Sequence, residues 1–356
     1  MAKNWMIYGA NGYTGTLIAH EAKSRGMQPV LAGRSHERLQ PLAQELNLES
    51  LVCDLADREA LHKYVANMDL VLHCAGPFIH TCDPMLAACL AGGANYLDIT
   101  GEVPVFESVF NFDAEAKAKH IALIPGVGFD VIPTDCLAVY TAKKLNDPVE
   151  LEIAFSSNST ASRGTTKTIV EHLRFGVQAR RDGRLVSIPA AKYAKRVPFA
   201  DKDRDVLPIS WGDVATAWRS TGIKNITTYT SFPNRLINHY RWVEPITRNM
   251  FSLSPTRKIA QKWVDKHVSG PNTEKREKAQ SQVWCAVRNE KGDMAQAWLQ
   301  TCEAYKFTAI AAVSAVESVF DKKLSGAFTP TQAFGEEFVL SVPGSRILDN
   351  LERRIS

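Results

Sequence analysis

Glycines at positions 9, 12 and 15 stand directly after the apolar run Trp5-Met6-Ile7-Tyr8 and open a helical pattern from Tyr13 to Arg25. Three glycines in this register let the backbone turn tightly and approach a pyrophosphate. The helix start adds unpaired N–H groups and the positive end of a dipole. Placed after the first strand of a βαβ unit, Gly9-Ala10-Asn11-Gly12-Tyr13-Thr14-Gly15 predicts a dinucleotide site. A turn that holds no ligand would not need three glycines at these spacings.

The residues that follow keep to the same plan. Val30-Leu31-Ala32, Leu51-Val52-Cys53, Asp69 to Cys74, Tyr96 to Ile99 and Ile121 to Ile124 are short apolar runs separated by helical patterns. Six such strands predict an α/β fold, a doubly wound parallel sheet covered on both faces, over residues 1–130. The chain has 356 residues, more than the roughly 250–300 that one core accommodates. A second domain is therefore expected over 131–325, with residues 326–356 packing back on the first.

The nucleotide type is read at the end of the second strand, where an NAD site carries an acid for the ribose 2′-hydroxyl. Here the sequence is Ala32-Gly33-Arg34-Ser35, and the first acid downstream is Glu37. Arg34 can fork onto a 2′-phosphate, Ser35 adds a hydroxyl, and Arg38 lies one helical turn along the same face. NADP(H) is thus preferred over NAD(H). Asp54 is placed either to meet the adenine amino group or to turn the chain into the next helix.

Gly9 to Gly15, Ala32-Gly33-Arg34, Cys74-Ala75-Gly76-Pro77-Phe78, Tyr96 to Glu102 and Gly126 to Asp135 together resemble the saccharopine-dehydrogenase-like oxidoreductases, a group that includes trans-acting enoyl reductases. Trp211-Gly212-Asp213, Ser220 to Ile223, Thr329-Pro330 and Gly335 extend the likeness. The resemblance implies an NADP-binding domain followed by an α/β substrate domain, and it leaves the substrate open.

In the second half Leu151, Ile153 and Phe155 alternate with Glu150, Glu152 and Ala154, a strand pattern that Ile226, Thr228 and Thr230 repeat. Gln282 to Arg288 and Met294 to Thr301 flank a Gly-Asp turn and predict a hairpin. The second domain is expected to be α+β, built on a mixed or antiparallel sheet of the kind that forms dimer contacts in two-domain reductases. Helices are expected over Thr165–Ala179, Glu303–Lys323 and Gln332–Ser341. The loop Ser156 to Gly164 joins hydroxyls to a helix start, which makes Ser162 and Arg163 candidate anion holders, or members of an ordinary capped loop. Tyr140 and Lys144 have a Tyr-x-x-x-Lys spacing, but no serine stands at a matching strand end, so the spacing is read as accidental.

A bound nicotinamide would lie beyond strands four to six. Ala75, Gly76, Pro77 and Gly128 are expected to offer backbone to the cofactor, and Phe78 and Phe129 to meet the substrate. Asp130 or Glu102 would donate or orient a proton, with His80 a third option. The expected activity is hydride transfer to or from a C=C, C=N or C=O bond of a small or acyl-chain substrate in an interdomain cleft. The competing reading is an NADP(H)-binding scaffold or redox sensor without turnover.

Charge and cysteines bound the setting. The chain carries +4 overall, yet Phe232 to Gly270 alone holds seven Lys/Arg and two acids, interleaved with Phe232, Tyr240, Trp242, Phe251 and Trp263. This stretch suits a peripheral membrane surface or an acidic carrier domain, or else a lid with solvated cations. No base-reading motif accompanies it, so nucleic acid is not expected. Seven scattered cysteines without a CxxC pair fit reduced thiols in a cytoplasm, and no metal site is expected.

Overall fold

The structure, a computed structural model, describes residues 3–233, 237, 243, 246, 247 and 249–351. It divides into two compact units, one built from the residues up to Asp130 with Tyr305–Phe334, the other from Val131–Ala304 with the residues from Gly335 on. The chain thus enters the first unit twice. This corrects the expected boundaries near the end of the chain: 305–325 belongs with the first unit, and the segment after Gly335 with the second.

In the first unit the strands are β1 (Trp5–Tyr8), β2 (Val30–Gly33), β3 (Ser50–Val52), β4 (Leu70–His73), β5 (Asn95–Asp98) and β6 (Ala122–Ile124). Helices α1 (Tyr13–Ser24), α2 (His36–Leu46), α3 (Arg58–Val65), α4 (Phe78–Gly92), α5 (Val103–Phe110) and α6 (Asp113–Ala118) connect them. A late two-residue strand, β15 (Gly326–Ala327), joins the edge beside β6. The described order is β15-β6-β5-β4-β1-β2-β3, and every pairing is parallel. The order reverses between β1 and β4, the switch point beyond which ligands bind in such sheets.

The mid-strand side chains Ile7, Leu31, Leu72 and Leu97 are fully buried, which is why their strands read as continuous apolar runs. Each contributes about 1.5–3 kcal/mol relative to exposure. Helix α3 is capped by Asp57, whose carboxylate accepts the Ala60 N–H at 3.1 Å. Helix α4 begins at Phe78 and carries Pro84 inside.

The second unit opens with α7 (Ile132–Ala142) and β7 (Pro148–Ser157). Helix α8 (Arg163–His172) follows, then β8 (Val177–Arg181), β9 (Arg184–Ile188), β10 (Lys195–Pro198), β11 (Asp203–Pro208), α9 (Asp213–Thr221) and β12 (Asn225–Ser231). Strands β13 (Gln280–Asn289), β14 (Met294–Cys302) and β16 (Arg346–Leu348) complete its sheet. The sheet is mixed: β7 runs parallel to β12 and antiparallel to β13, and β13 and β14 form the expected hairpin.

Ala154, Phe199, Val206, Tyr229, Trp284 and Trp298 pack into one cluster in this unit. The helix expected over Thr165–Ala179 is shorter. It gives way to a 3₁₀ turn ending at Phe175, and Val177–Arg181 alternates as a strand paired with β9. The helix expected over Gln332–Ser341 is likewise split at Gly335 into Pro330–Phe334 and a 3₁₀ segment Glu336–Ser341.

Candidate functional site

The glycine turn is held closed by its own backbone. Gly12 donates its N–H to the Gly9 carbonyl at 2.9 Å, and Gly9 donates to the Ala32 carbonyl at 2.8 Å. Gly9 has φ +85°, and a methyl group at Gly15 would lie 2.3 Å from the Gly9 oxygen, so neither position accepts a side chain without backbone movement. The half-buried residues Asn11, Tyr13 and Thr14 flank an exposed Gly12. Gly12, at the amino end of α1, brings no capping side chain, and the positive end of the helix dipole faces this turn, which suits an anion. These residues fit a diphosphate.

At the carboxyl end of β2, Gly33 is buried against the Asn11 side-chain oxygen, while Arg34 and Arg38 are exposed and Ser35 stands just before α2. Tyr8, which the sequence argument passed over, lies among them. Its hydroxyl donates to the Cys53 carbonyl at 2.9 Å and so ties the end of β1 to the residue after β3. Burial and the charges of Cys53 and Asp54 raise the Tyr8 pKa, and the nearby Arg34 works against them. Asp54 accepts the Ala56 N–H at 2.9 Å, which gives its carboxylate the turn-forming role that the sequence left open beside adenine contact.

Beyond β4, Ala75, Gly76 and Pro77 carry the chain into α4 through a cis Gly76–Pro77 bond. Glu102 organises this turn. It is fully buried, and its two carboxylate oxygens accept the N–H groups of Phe78 at 2.7 Å and Ile79 at 2.9 Å. A carboxylate on the amino end of a 15-residue helix meets both unpaired donors and a favourable dipole. Glu102 therefore faces backbone amides, which differs from the acid–base role considered for it.

Thr81 donates to the Ala75 carbonyl at 2.6 Å, and His73 Nε2 reaches the same hydroxyl at 3.0 Å. Burial lowers the His73 pKa to about 3, so its ring is neutral at ordinary pH. Asp98, at the end of β5, accepts from the Tyr96 hydroxyl at 2.7 Å, the Thr100 N–H at 2.9 Å and the Gly126 N–H at 2.8 Å. Burial outweighs these bonds and pushes its pKa up to about 6. Asp98 thus ties the 126–130 loop to the sheet.

Asp130 closes that loop. Its carboxyl lies flush against Gly101, where a methyl group would sit 2.6 Å from Oδ2. It is half-buried, and no hydrogen-bond donor among the described residues reaches it. Burial first, and the Glu102 charge second, push its pKa up to about 7. A carboxyl of this kind can give or take a proton near neutral pH. His80, the third candidate, is exposed on α4.

The neighbours of Asp130 are fixed by the late helix Ala304–Asp321, a contribution absent from the sequence argument. Thr308 accepts the Phe129 N–H at 3.0 Å and packs on Gly128, Phe307 meets the Phe129 ring edge-on at 5.8 Å, and Tyr305 meets Tyr13 at 4.9 Å. Phe78 and Phe129 are buried, and each is held by such ring contacts.

In the second unit, Ser162 caps α8 by accepting the Thr165 N–H at 3.2 Å, and Arg163 Nε donates to the Val268 carbonyl at 3.1 Å. Both side chains are thus engaged in holding α8. Tyr140 and Lys144 meet one carboxylate, Asp349, which gives their spacing a structural cause.

Residues 5–124 match the saccharopine dehydrogenase NADP binding domain family. The human saccharopine dehydrogenase-like oxidoreductase is 29% identical over 161 residues, covering 40% of this chain and 38% of that protein. The trans-acting enoyl reductase of Mycobacterium leprae (strain TN) is 34% identical over 145 residues, 38% of this chain and 34% of that protein. The matched stretch is therefore less than two fifths of the length of either relative. The apo saccharopine dehydrogenase (L-Glu forming) of Saccharomyces cerevisiae superposes over 95% of this chain and 96% of its own, with TM-score 0.62 and 12% identity, a likeness of fold. The family model thus matches the stretch of this chain that runs from β1 to β6 and includes the glycine turn.

Proposed function

We propose that the chain is an NADP-dependent oxidoreductase that moves a hydride to or from a C=C, C=N or C=O bond of a small or acyl-chain substrate. The observation that carries this reading is Asp130, a half-buried carboxyl without a hydrogen-bond donor among the described residues and with a pKa raised to about 7. The NADP-binding family of residues 5–124 and the names of the relatives support it.

When bound, NADP(H) supplies or accepts the hydride. The turn at Gly9 to Gly15 and the start of α1 would hold the diphosphate, and Arg34, Ser35 and Arg38 would hold the 2′-phosphate. In reduction, Asp130 would give its proton to the substrate atom that gains an electron pair. In oxidation it takes that proton back. Glu102 positions the Cys74–Phe78 turn and raises the proton affinity of Asp130.

The test is NADPH oxidation by the purified chain against a panel of imines, enoyl thioesters and keto acids. Turnover with one class is expected, and Asp130→Asn should lower kcat by about 10²–10⁴-fold with NADPH affinity retained. Tight NADPH binding without turnover on any class would overturn the reading in favour of a binding-only protein.

A further inference from the structure

Helix Ser254–His267 is anchored to its own unit along one face. Arg257 pairs with the buried Glu171 at 3.2 Å, Gln261 bonds the same carboxylate, and Asp265 pairs with Lys167 at 2.7 Å. Val264 is the buried apolar residue of this helix. The opposite face is of another character. Ile259 is 70% exposed and Trp263 58%, and Leu253, just before the helix, is 60% exposed. Val243, Ile246 and Met250, which precede Leu253 at spacings of three and four, are exposed as well.

Beside this apolar stripe runs a second one. Lys258, Lys262 and Lys266 are exposed at four-residue intervals, so they share one side of the helix. None of the three meets an acid among the described residues, and the one acid of the helix, Asp265, is drawn to Lys167. Arg235, Tyr240, Arg241, Trp242, Glu244 and Arg248, which the sequence argument counted in this stretch, lie outside the described residues.

From this arrangement we propose that the helix Ser254–His267 and Leu253 form a docking surface for an anionic membrane, with Trp263, Ile259 and Leu253 entering the headgroup boundary and Lys258, Lys262 and Lys266 meeting lipid phosphates. The occupant follows from the pairing of the two stripes. Exposed apolar groups gathered on one face need cover, and a row of unpaired lysines beside a tryptophan is what an interfacial helix presents. Specific protein interfaces are depleted in lysine. Among the described residues no helix is long and apolar enough to cross a membrane.

The experiment is flotation of the full chain with phosphatidylcholine vesicles, either pure or containing about one-third phosphatidylglycerol, a strongly anionic surface. Co-flotation with the anionic vesicles alone, reduced by salt, is expected. Lys258→Gln, Lys262→Gln and Lys266→Gln together should weaken it by about two orders of magnitude, at about fivefold per lysine. Trp263→Ser should weaken it independently while NADPH affinity and Tm stay unchanged. If the triple variant does not fold, quenching of Trp263 fluorescence by brominated lipid, read as the difference between wild type and Trp263→Phe, reports the same contact. Absence of co-flotation with folded wild type overturns the proposal. So does undiminished binding by folded variants, or capture by an acidic carrier protein without any vesicle binding.

Discussion

At the residue scale the proposed function turns on Arg34 and Asp130. The glycine turn would accept the diphosphate of either nicotinamide dinucleotide, and the first side chain past Gly33 would distinguish them. Arg34 is exposed and beside no acid of its own strand, so its guanidinium is available to a 2′-phosphate. Arg34→Asp should weaken NADPH by about 10–100-fold, in keeping with loss of a charge-assisted pair and its replacement by repulsion, and NADH far less. Calorimetric titration of both nucleotides measures this, and equal losses would move the 2′-phosphate elsewhere.

Asp130 titrates in a definite direction. Its folded pKa of about 7 stands above the ordinary 3.8, so between those values the folded chain holds a proton that the unfolded chain has released. Stability is therefore lost as pH rises through that window. Asp130→Asn should raise Tm at pH 8 relative to wild type and leave it nearly unchanged at pH 4. A Tm gain of the same size at both pH values would show that burial, not ionisation, is what the substitution relieves.

Among the elements, α4 shows how a site and a fold share residues. Its start at Phe78 is fixed by Glu102 from 24 positions further along the chain. Glu102→Gln leaves an oxygen for one amide and presents an N–H₂ to the other. The expected cost is about 1–3 kcal/mol for the unsatisfied donor, measured by denaturant unfolding. The same substitution removes a charge that raises the Asp130 pKa. If reduction needs protonated Asp130, the fall of activity with rising pH should move to lower pH. A stability loss with an unshifted pH profile would separate Glu102 from the chemistry.

The legibility of the sequence follows the same division. Strands β1, β2, β4, β5 and β6 were legible because both faces of a parallel sheet are buried, so apolar runs mark them, whereas β3 lies at the sheet edge with Val52 exposed. The glycine turn was legible because its spacing is a backbone requirement. The start of α4 was not, since Pro84 resembles a first-turn proline and the Glu102 cap comes from a distant part of the chain. The clamp of Thr308 and Phe307 on Phe129 was equally hidden, because a contact across 179 positions leaves no local periodicity. Strand β15 has two residues, too few for any alternation.

Taken as a whole, the molecule builds its nucleotide unit from two separated stretches of chain, and this has an energetic consequence. The first 130 residues supply six of the seven described strands, yet the sheet edge beside β6 is completed by Gly326 and Ala327. The helix Ala304–Asp321 buries Phe307, Ala311, Ala312, Val313, Ala315 and Val316 within this same unit. Residues 1–130 alone would expose the surface that those side chains cover and leave a parallel edge strand unpaired, a template for association with other chains. A fragment ending at Asp130 should therefore aggregate or unfold well below the Tm of the full chain, and bind NADPH weakly. Joining 305–334 to it through a flexible linker should restore solubility and binding, since loop closure adds little with linker length. Solubility, Tm and NADPH titration of the two fragments measure this, and a stable, nucleotide-binding 1–130 fragment would show that the returning helix and strand are dispensable to the unit.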